Sequence, residues 1–232
     1  MSFYYDLHIH SALSPCGDED MTPNNIVNMA YIKGLDVIAI TDHNSCRNAR
    51  AVMTAGKNKV KVIPGMEVTT SEEVHALCYF PDIDAAEDMG EFIYRHMQGV
   101  KNNPEIFGRQ LVMNEDDEII GEEENLLVNA VNLDIYEVSA ATKSRGGLFV
   151  PAHIDKSSYS ITSNLGFLPP DLEVDGLEIS ERGLEKYFNT YVDYGILTSS
   201  DAHYLENIAE QNRELGKNDK LAQKILEFLC KF

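Results

Sequence analysis

The sequence predicts an α/β fold in which parallel strands alternate with crossover helices, about seven strands in all. Short runs rich in Val, Ile and Leu recur along the chain, amphipathic helical patterns separate them, and the first helix carries clear start and stop signals. With 232 residues, 44% of them hydrophobic and 25% charged, the chain can bury one sizeable core, so residues 1–232 are expected to form a single domain.

The first strand is read from Tyr4 to Ile9. A helix follows, with Thr22 as N-cap, Pro23 at the first helical position, an apolar face of Ile26, Met29 and Ala30, and Gly34 as the left-handed stop. It feeds a second strand, Asp36 to Thr41, then a helix near Asn48 to Ala55 and a third strand, Val60 to Pro64. A fourth strand is expected from Val74 to Phe80, and others at Gly147 to Ala152, Asp175 to Ile179 and Ile196 to Ser200. Between Pro81 and Gly146 the rhythm breaks into a helix opened by Asp84, with Glu87 three residues on, a hairpin-like Gln110 to Gly121, and a helix around Glu124 to Ala141. Residues 82–146 are therefore read as an insertion over the sheet. The last helix, near Asp219 to Phe232, sets Leu221, Ile225, Leu229 and Phe232 on one face.

Composition narrows the function. No stretch approaches the ~18 apolar residues of a membrane span, and the start, Met1 to Asp6, lacks the basic flank and apolar run of a signal peptide. Cys16, Cys46, Cys78 and Cys230 are scattered, with no CxxC spacing, so neither a disulfide framework nor a thiolate zinc knuckle is signalled. A cytoplasmic protein without membrane contact is expected. The formal charge of -19, from 38 acidic against 19 basic residues, argues against long duplex nucleic acid as a partner. The acidic runs at 114–118 and 122–124 read as a solvated hairpin turn.

The chemistry falls where strands end. In Asp6-Leu7-His8-Ile9-His10, alternation puts Asp6, His8 and His10 on one face, so two imidazoles converge. Such a pair holds a divalent metal well, with Asp6 placed to orient a ligand from behind. The pattern recurs: Thr41-Asp42-His43 closes the second strand, Glu67 follows the third, His75 lies within or just before the fourth, and Pro151-Ala152-His153 and Ser200-Asp201-Ala202-His203 follow later ones. Six of the seven histidines thus sit at strand ends, where parallel barrels carry their catalytic groups. His96, among Phe92, Ile93, Met97 and Val100 at helical spacing, is given a packing role. Asp42 could cap a turn or support a ligand.

Taken in order, His8-x-His10, Thr41-Asp42-His43, Glu67, His75, Pro151-Ala152-His153 and Ser200-Asp201-Ala202-His203 resemble the motif series of the PHP (polymerase and histidinol phosphatase) family. The resemblance implies a distorted seven-stranded (β/α)7 barrel with a trinuclear centre of zinc, manganese or iron at its carboxyl face, and phosphoesterase activity. It further implies that His8, His10, Glu67 and Asp201 bind one metal, that Glu67 bridges to a second held by His75 and His153, and that the third takes Asp18, His43 and His203. Glu19 and Asp20 are alternatives to Asp18. The segment between His75 and His153 is similar to the branch acting on small nucleotides and RNA ends.

Three divalent cations would outweigh the three carboxylates of Asp18, Glu67 and Asp201, so a site with two or three such ions suits phosphate. A hydroxide bridging two metals is the expected nucleophile, and Asp201 or His203 a candidate to pass a proton to the leaving oxygen. Lys156 and Arg182, and less strongly Arg47, are candidates to grip substrate phosphate. The expected function is hydrolysis of a small phosphoester, with a nucleotide or short oligonucleotide favoured. Two rivals are a hydrolase of a C–N bond on the same metals and a non-catalytic metal-binding module.

Overall fold

The computed structural model of the chain describes residues 3–215 and 220–229. Three strands, β1 (Tyr5–Ile9), β2 (Val37–Ile40) and β3 (Lys61–Thr69), run parallel and are joined by α1 (Pro23–Ile32) and α2 (Ala49–Gly56). β1 and β2 are buried along their whole length, which is why their sequences read as near-continuous apolar runs rather than alternating ones. α1 begins and ends on the predicted residues: the Thr22 side chain accepts the Asn25 N–H, Pro23 occupies the first turn, and Gly34 follows with a φ of 74°.

Beyond Pro64, β3 leaves β2 and pairs with β4 (His75–Tyr79) as an antiparallel hairpin. This corrects the expected all-parallel order. The turn 70–74 is far shorter than the dozen or so residues a parallel crossover needs, so the chain can only double back. The reversal has a use: it puts His75, the first residue of β4, opposite Thr69 at the carboxyl end of β3.

After β4 come α3 (Ile83–Arg95), the single turn α4 (Pro104–Phe107), a hairpin of β5 (Leu111–Met113) and β6 (Ile119–Glu122), and α5 (Ile135–Ser144). β7 (Leu148–Pro151) then pairs antiparallel with β4 and completes a five-stranded sheet of order β1-β2-β3-β4-β7. α6 (Ile161–Asn164), β8 (Leu177–Glu178), α7 (Leu184–Tyr191), β9 (Ile196–Leu197) and α8 (Lys220–Leu229) follow, with β8 and β9 forming a separate parallel pair.

Among the described residues the ladders are therefore one mixed sheet of five strands and two two-stranded sheets, β5–β6 and β8–β9, with no continuous ladder through seven strands. The strand expected over 196–200 shortens where side chains replace ladder bonds: Ser200 N–H donates to Asp6 Oδ1 at 3.0 Å, and on the β1 side Leu7 N–H donates to Ser199 Oγ at 3.2 Å. Two backbone bonds connect the β8–β9 pair to each sheet edge: Ile154 N–H to the Glu178 carbonyl (2.8 Å) and Asp175 N–H to the Phe149 carbonyl (2.9 Å) on one side, and His10 N–H to the Ala202 carbonyl (2.9 Å) and Ala202 N–H to the His8 carbonyl (3.1 Å) on the other.

Two helices also differ from expectation. α3 is capped by Asp82, whose carboxylate accepts the Ala85 N–H, not by Asp84. The helix read over Glu124 to Ala141 starts only at Ile135, after Asp134 and Glu137 close a capping box. Upstream, Leu126 N–H donates to the Val100 carbonyl (2.8 Å) and Val131 N–H to the Thr69 carbonyl (2.9 Å), so tertiary pairing has taken the backbone a helix would need. His96 ends α3 with its ring against Phe92, in the packing role expected.

Ala86, Met89 and Ile93 of α3, with Ile135 and Val138 of α5, pack on Met66, Val68, Cys78 and Phe149 of the sheet. Leu221, Ile225 and Leu229 of α8 cover Leu7, Val37, Ile63 and Leu77 on the other side. Asp219, Phe232 and Cys230 lie outside the described residues. Among those residues no helix is long and apolar enough to cross a membrane.

Asp175 ties this packing together. Its carboxylate accepts the Phe149 N–H at 2.8 Å and pairs with Lys143 of α5 and, at 2.5 Å, Lys224 of α8. Burial would raise its pKa, but the two lysines and the N–H hold it below the usual carboxylate range. Replacing a buried paired charge costs about 3–5 kcal/mol. Both lysines reach solvent, so Asp175→Asn is expected to lose about 2–4 kcal/mol in urea denaturation at pH 7. A group with a depressed folded pKa stabilises above its unfolded value and loses that contribution in acid, so variant and wild type should converge below about pH 4.

Candidate metal centre

β1 alternates as its sequence requires. Leu7 and Ile9 enter apolar clusters, while His8 and His10 turn together to the opposite face, both fully buried. His43 follows β2 and is bridged to Glu67, whose N–H donates to the Asp42 carbonyl at 3.0 Å. Glu67 itself alternates with Met66 and Val68, which face the core. His153 and Asp201 follow the later strands with φ of 29° and 56°, left-handed values that are costly for residues with a side chain and concentrate at functional sites.

These residues meet in one cluster. His8 Nε2 and His10 Nε2 lie 3.2 Å apart; each is 3.4 Å from Glu67 Oε2 and 3.3 Å from Asp201 Oδ1. Donors held tetrahedrally around a cation at about 2.0–2.1 Å stand about 3.3–3.4 Å from one another. The spacing is thus that of a coordination shell. Glu67 Oε1 faces His75 Nδ1 at 2.9 Å and His153 Nε2 at 3.2 Å, and His10, His43 and His203 form a further group.

The second layer aims the rings. Ser14 Oγ donates to Asp42 Oδ1 at 2.7 Å and takes His10 Nδ1–H at 3.0 Å, so the His10 Nε2 lone pair points inward. Asp42 therefore acts on His10 through Ser14, and also receives Ser11 N–H at 2.7 Å. Asp6 accepts Ser200 N–H and, at 2.8 Å, Ala209 N–H, which fixes the loop carrying Asp201. Sequence reasoning missed Glu178, which is 2% exposed and lies 3.0 Å from His8 Nδ1. Its signal was a lone carboxylate inside the apolar run Gly176-Leu177-Glu178-Ile179.

The electrostatics agree with a site built for cations. Burial pulls the His8 and His10 rings down, yet the surrounding carboxylates outweigh it, raising His8 well above an ordinary histidine and His10 to about 9. Burial would raise Glu67 and Asp201, but the imidazoles hold both below the carboxylate range. Burial lowers His43 well below normal and His203 to about 4, so these two remain neutral. His43 Nδ1 stands 3.2 Å from Glu67 Oε2 but has no hydrogen-bond partner, and buried His153 Nδ1 has none either. Imidazole and carboxylate donors without thiolate fit zinc, manganese or iron.

A profile of the PHP domain matches residues 6–160 of the sequence. The chain belongs to the PHP domain family. The match takes in every gathered residue except Asp201 and His203, which the fold adds to the PHP cluster. A segment of 74 residues is 34% identical to the 5'-3' exoribonuclease of Haemophilus influenzae, covering 32% of this chain and 26% of that protein. A candidate metal-dependent phosphoesterase from Bifidobacterium adolescentis superposes with a TM-score of 0.66 at 21% identity, over 98% of this chain and 96% of that one. Endonuclease Q of Pyrococcus furiosus superposes with a TM-score of 0.64 at 22% identity, over 88% and 49%. Endonuclease Q has also been solved with a 27-mer duplex carrying an abasic lesion at its active site. The PHP chain spans about half of endonuclease Q and about a quarter of the exoribonuclease.

Not every expected residue reaches the PHP cluster. Asp18 stands outside the three donor groups, its Oδ1 accepting Asp20 N–H at 2.9 Å, and Glu19 faces Arg109. Lys156 lines the small cavity over the cluster, with His43, His75, His153, Tyr159 and His203, and pairs with Asp201 Oδ2. Arg182 is exposed and is not among the residues lining that cavity. Arg47 instead pairs with Glu123 at 3.0 Å.

Proposed function

We propose that the chain is a metal-dependent hydrolase of phosphate esters, acting on a nucleotide or nucleic-acid phosphoester. The observation that carries this is the convergence of His8, His10, Glu67 and Asp201 at the edge lengths of a coordination shell. The named activities of the exoribonuclease and endonuclease Q support the substrate class. The acidic surface is no argument against a long duplex: endonuclease Q, of the same fold, takes a 27-mer duplex. Cations held at the site attract phosphate whatever the net charge of the surrounding surface.

His8, His10, Glu67 and Asp201 would hold one ion, Glu67, His75 and His153 a second, and His43 and His203 a third, with His10 rather than Asp18 nearest to them. When bound, divalent ions supply Lewis acidity and water activation at neutral pH. The chain's own groups do the rest. Lys156 reaches the cavity from the loop after β7, where its ammonium can leave Asp201 for a substrate phosphate. Asp201 keeps Oδ1 toward the ligands and Oδ2 toward Lys156, with His203 beside it; Asp201 held ionised and His203 held neutral carry no proton for the leaving oxygen, so the proton-passing role expected of them is not proposed. We read the five-stranded sheet and the β8–β9 pair as one distorted seven-strand ring in a single domain, 82–146 being an insertion within it.

Phosphate or nitrophenol release from a panel of mono- and diesters, by protein reloaded with manganese or zinc, tests the reading. Release that depends on metal and disappears in His8→Ala/His10→Ala is expected. No release by fully metallated protein would point instead to C–N hydrolysis or a silent metal module. Lys156→Ala should raise KM about 10–100-fold, the worth of one hydrogen bond to a charged group, with metal content unchanged. Arg182→Ala serves as the comparison and should leave KM near wild type.

A further inference from the structure

Glu178 lies behind the donor cluster rather than in it. Its Oε1 and Oε2 are 3.1 and 3.0 Å from His8 Nδ1, and Oε2 also accepts the His153 N–H at 2.9 Å. His8 belongs to the group with His10 and Asp201 around Glu67 Oε2, whereas His153 faces Glu67 Oε1. One buried carboxylate therefore touches the ring of a ligand on one side of the centre and the backbone of a ligand on the other. That backbone needs holding: His153 has a φ of 29°, in a region that costs about 1–3 kcal/mol and persists only under restraint.

We infer that Glu178 is a positioning residue coupling the two sides of the centre, fixing the His8 tautomer and the His153 backbone with the same carboxylate. The inference rests on the reading that the cluster holds metal ions. A carboxylate suits the task because both oxygens only accept, and both partners, His8 Nδ1–H and His153 N–H, only donate. Glutamine serves both poorly. With its oxygen in the Oε2 place, its NH2 would stand 3.1 Å from His8 Nδ1 and oppose the N–H there, driving His8 toward the tautomer that turns Nε2–H to the metal position; with the amide reversed, NH2 would face His153 N–H and leave it unpaired. In either case the shell is spoiled on at least one side while side-chain volume is kept.

The test compares wild type with Glu178→Gln, and with Glu178→Asp as a second variant that keeps the charge but shortens its reach. Zinc affinity and stoichiometry would be read by competition with a chromophoric chelator, the His8 tautomer by nitrogen NMR, and metal-free melting by calorimetry. Expected for both variants is a 10–100-fold loss of affinity affecting more than one ion. In Glu178→Gln the Nδ1–H signature of His8 should also be lost. Affinity within threefold of wild type in both variants, a loss confined to one ion, or lower melting with affinity and tautomer intact would overturn the inference. Wild type that binds no zinc would overturn the metal reading, and the coupling with it.

Discussion

Glu67→Gln is expected to abolish metal-dependent hydrolysis, lowering turnover by more than ~10³-fold, beyond the ~10²–10³ lost with a single oxyanion donor. The reason is geometric. Glu67 Oε2 stands 3.2–3.4 Å from His8, His10 and His43, and Oε1 2.9–3.2 Å from His75 and His153. Among the described residues no other side chain touches both sides of the cluster so directly, and the amide keeps its volume while removing the charge that draws cations to both. Metal analysis by mass spectrometry should find more than one ion lost per chain, not one. Turnover within tenfold of wild type at full metal content would contradict the shared-ligand role.

Chelation is expected to have the next largest effect, this time on stability. Ions present at 1,000 times their Kd would stabilise the folded chain by about 4 kcal/mol, or ~8–16 °C in Tm for a chain of this size. The effect should depend on pH with a definite sign. In the metal-free chain His8 and His10 have raised pKa values, His10 to about 9. Their contribution is full below the unfolded value near 6.5 and is lost as pH rises through the folded values. Glu67 and Asp201 are depressed, so theirs is present above about pH 4 and is lost only in acid. From pH 6.5 to 9 the stripped protein should weaken, while the same deprotonated imidazoles become better ligands. Calorimetry should therefore show the gap between loaded and stripped protein widening with pH; a gap that stays flat or narrows would refute the assignment.

Much of the centre was legible because its signals are local. His8 and His10 share a face by alternation, and His43, His75, His153, Asp201 and His203 each sit within three residues of an expected strand end. The profile of Glu178 is different: a single acid in a short strand looks like an edge charge until the fold places it against His8 and His153. The reversed direction of β4 could have been read from the connection before it, since the nine residues 65–73 between the expected strands are already too few for a crossover. The false helical start at Glu124 arose because residues 124–131 carry helix-compatible side chains but spend their backbone on Val100, Asn102 and Thr69. Asp18 was placed by its distance to the Thr22 cap. The structure turns its carboxylate toward Asp20 N–H instead, a local turn that spacing alone does not reveal.

The donors around one point come from opposite ends of the described chain, with His8 on the first strand and Asp201 just after the last. Closing so long a loop is entropically expensive, and contacts of such high sequence separation form late in folding. A chain still being synthesised can display the His8–His10 pair long before Asp201 exists to complete its shell. Tight metal capture would then report that folding has finished, and the ions would act as a lock set after assembly instead of a seed for it.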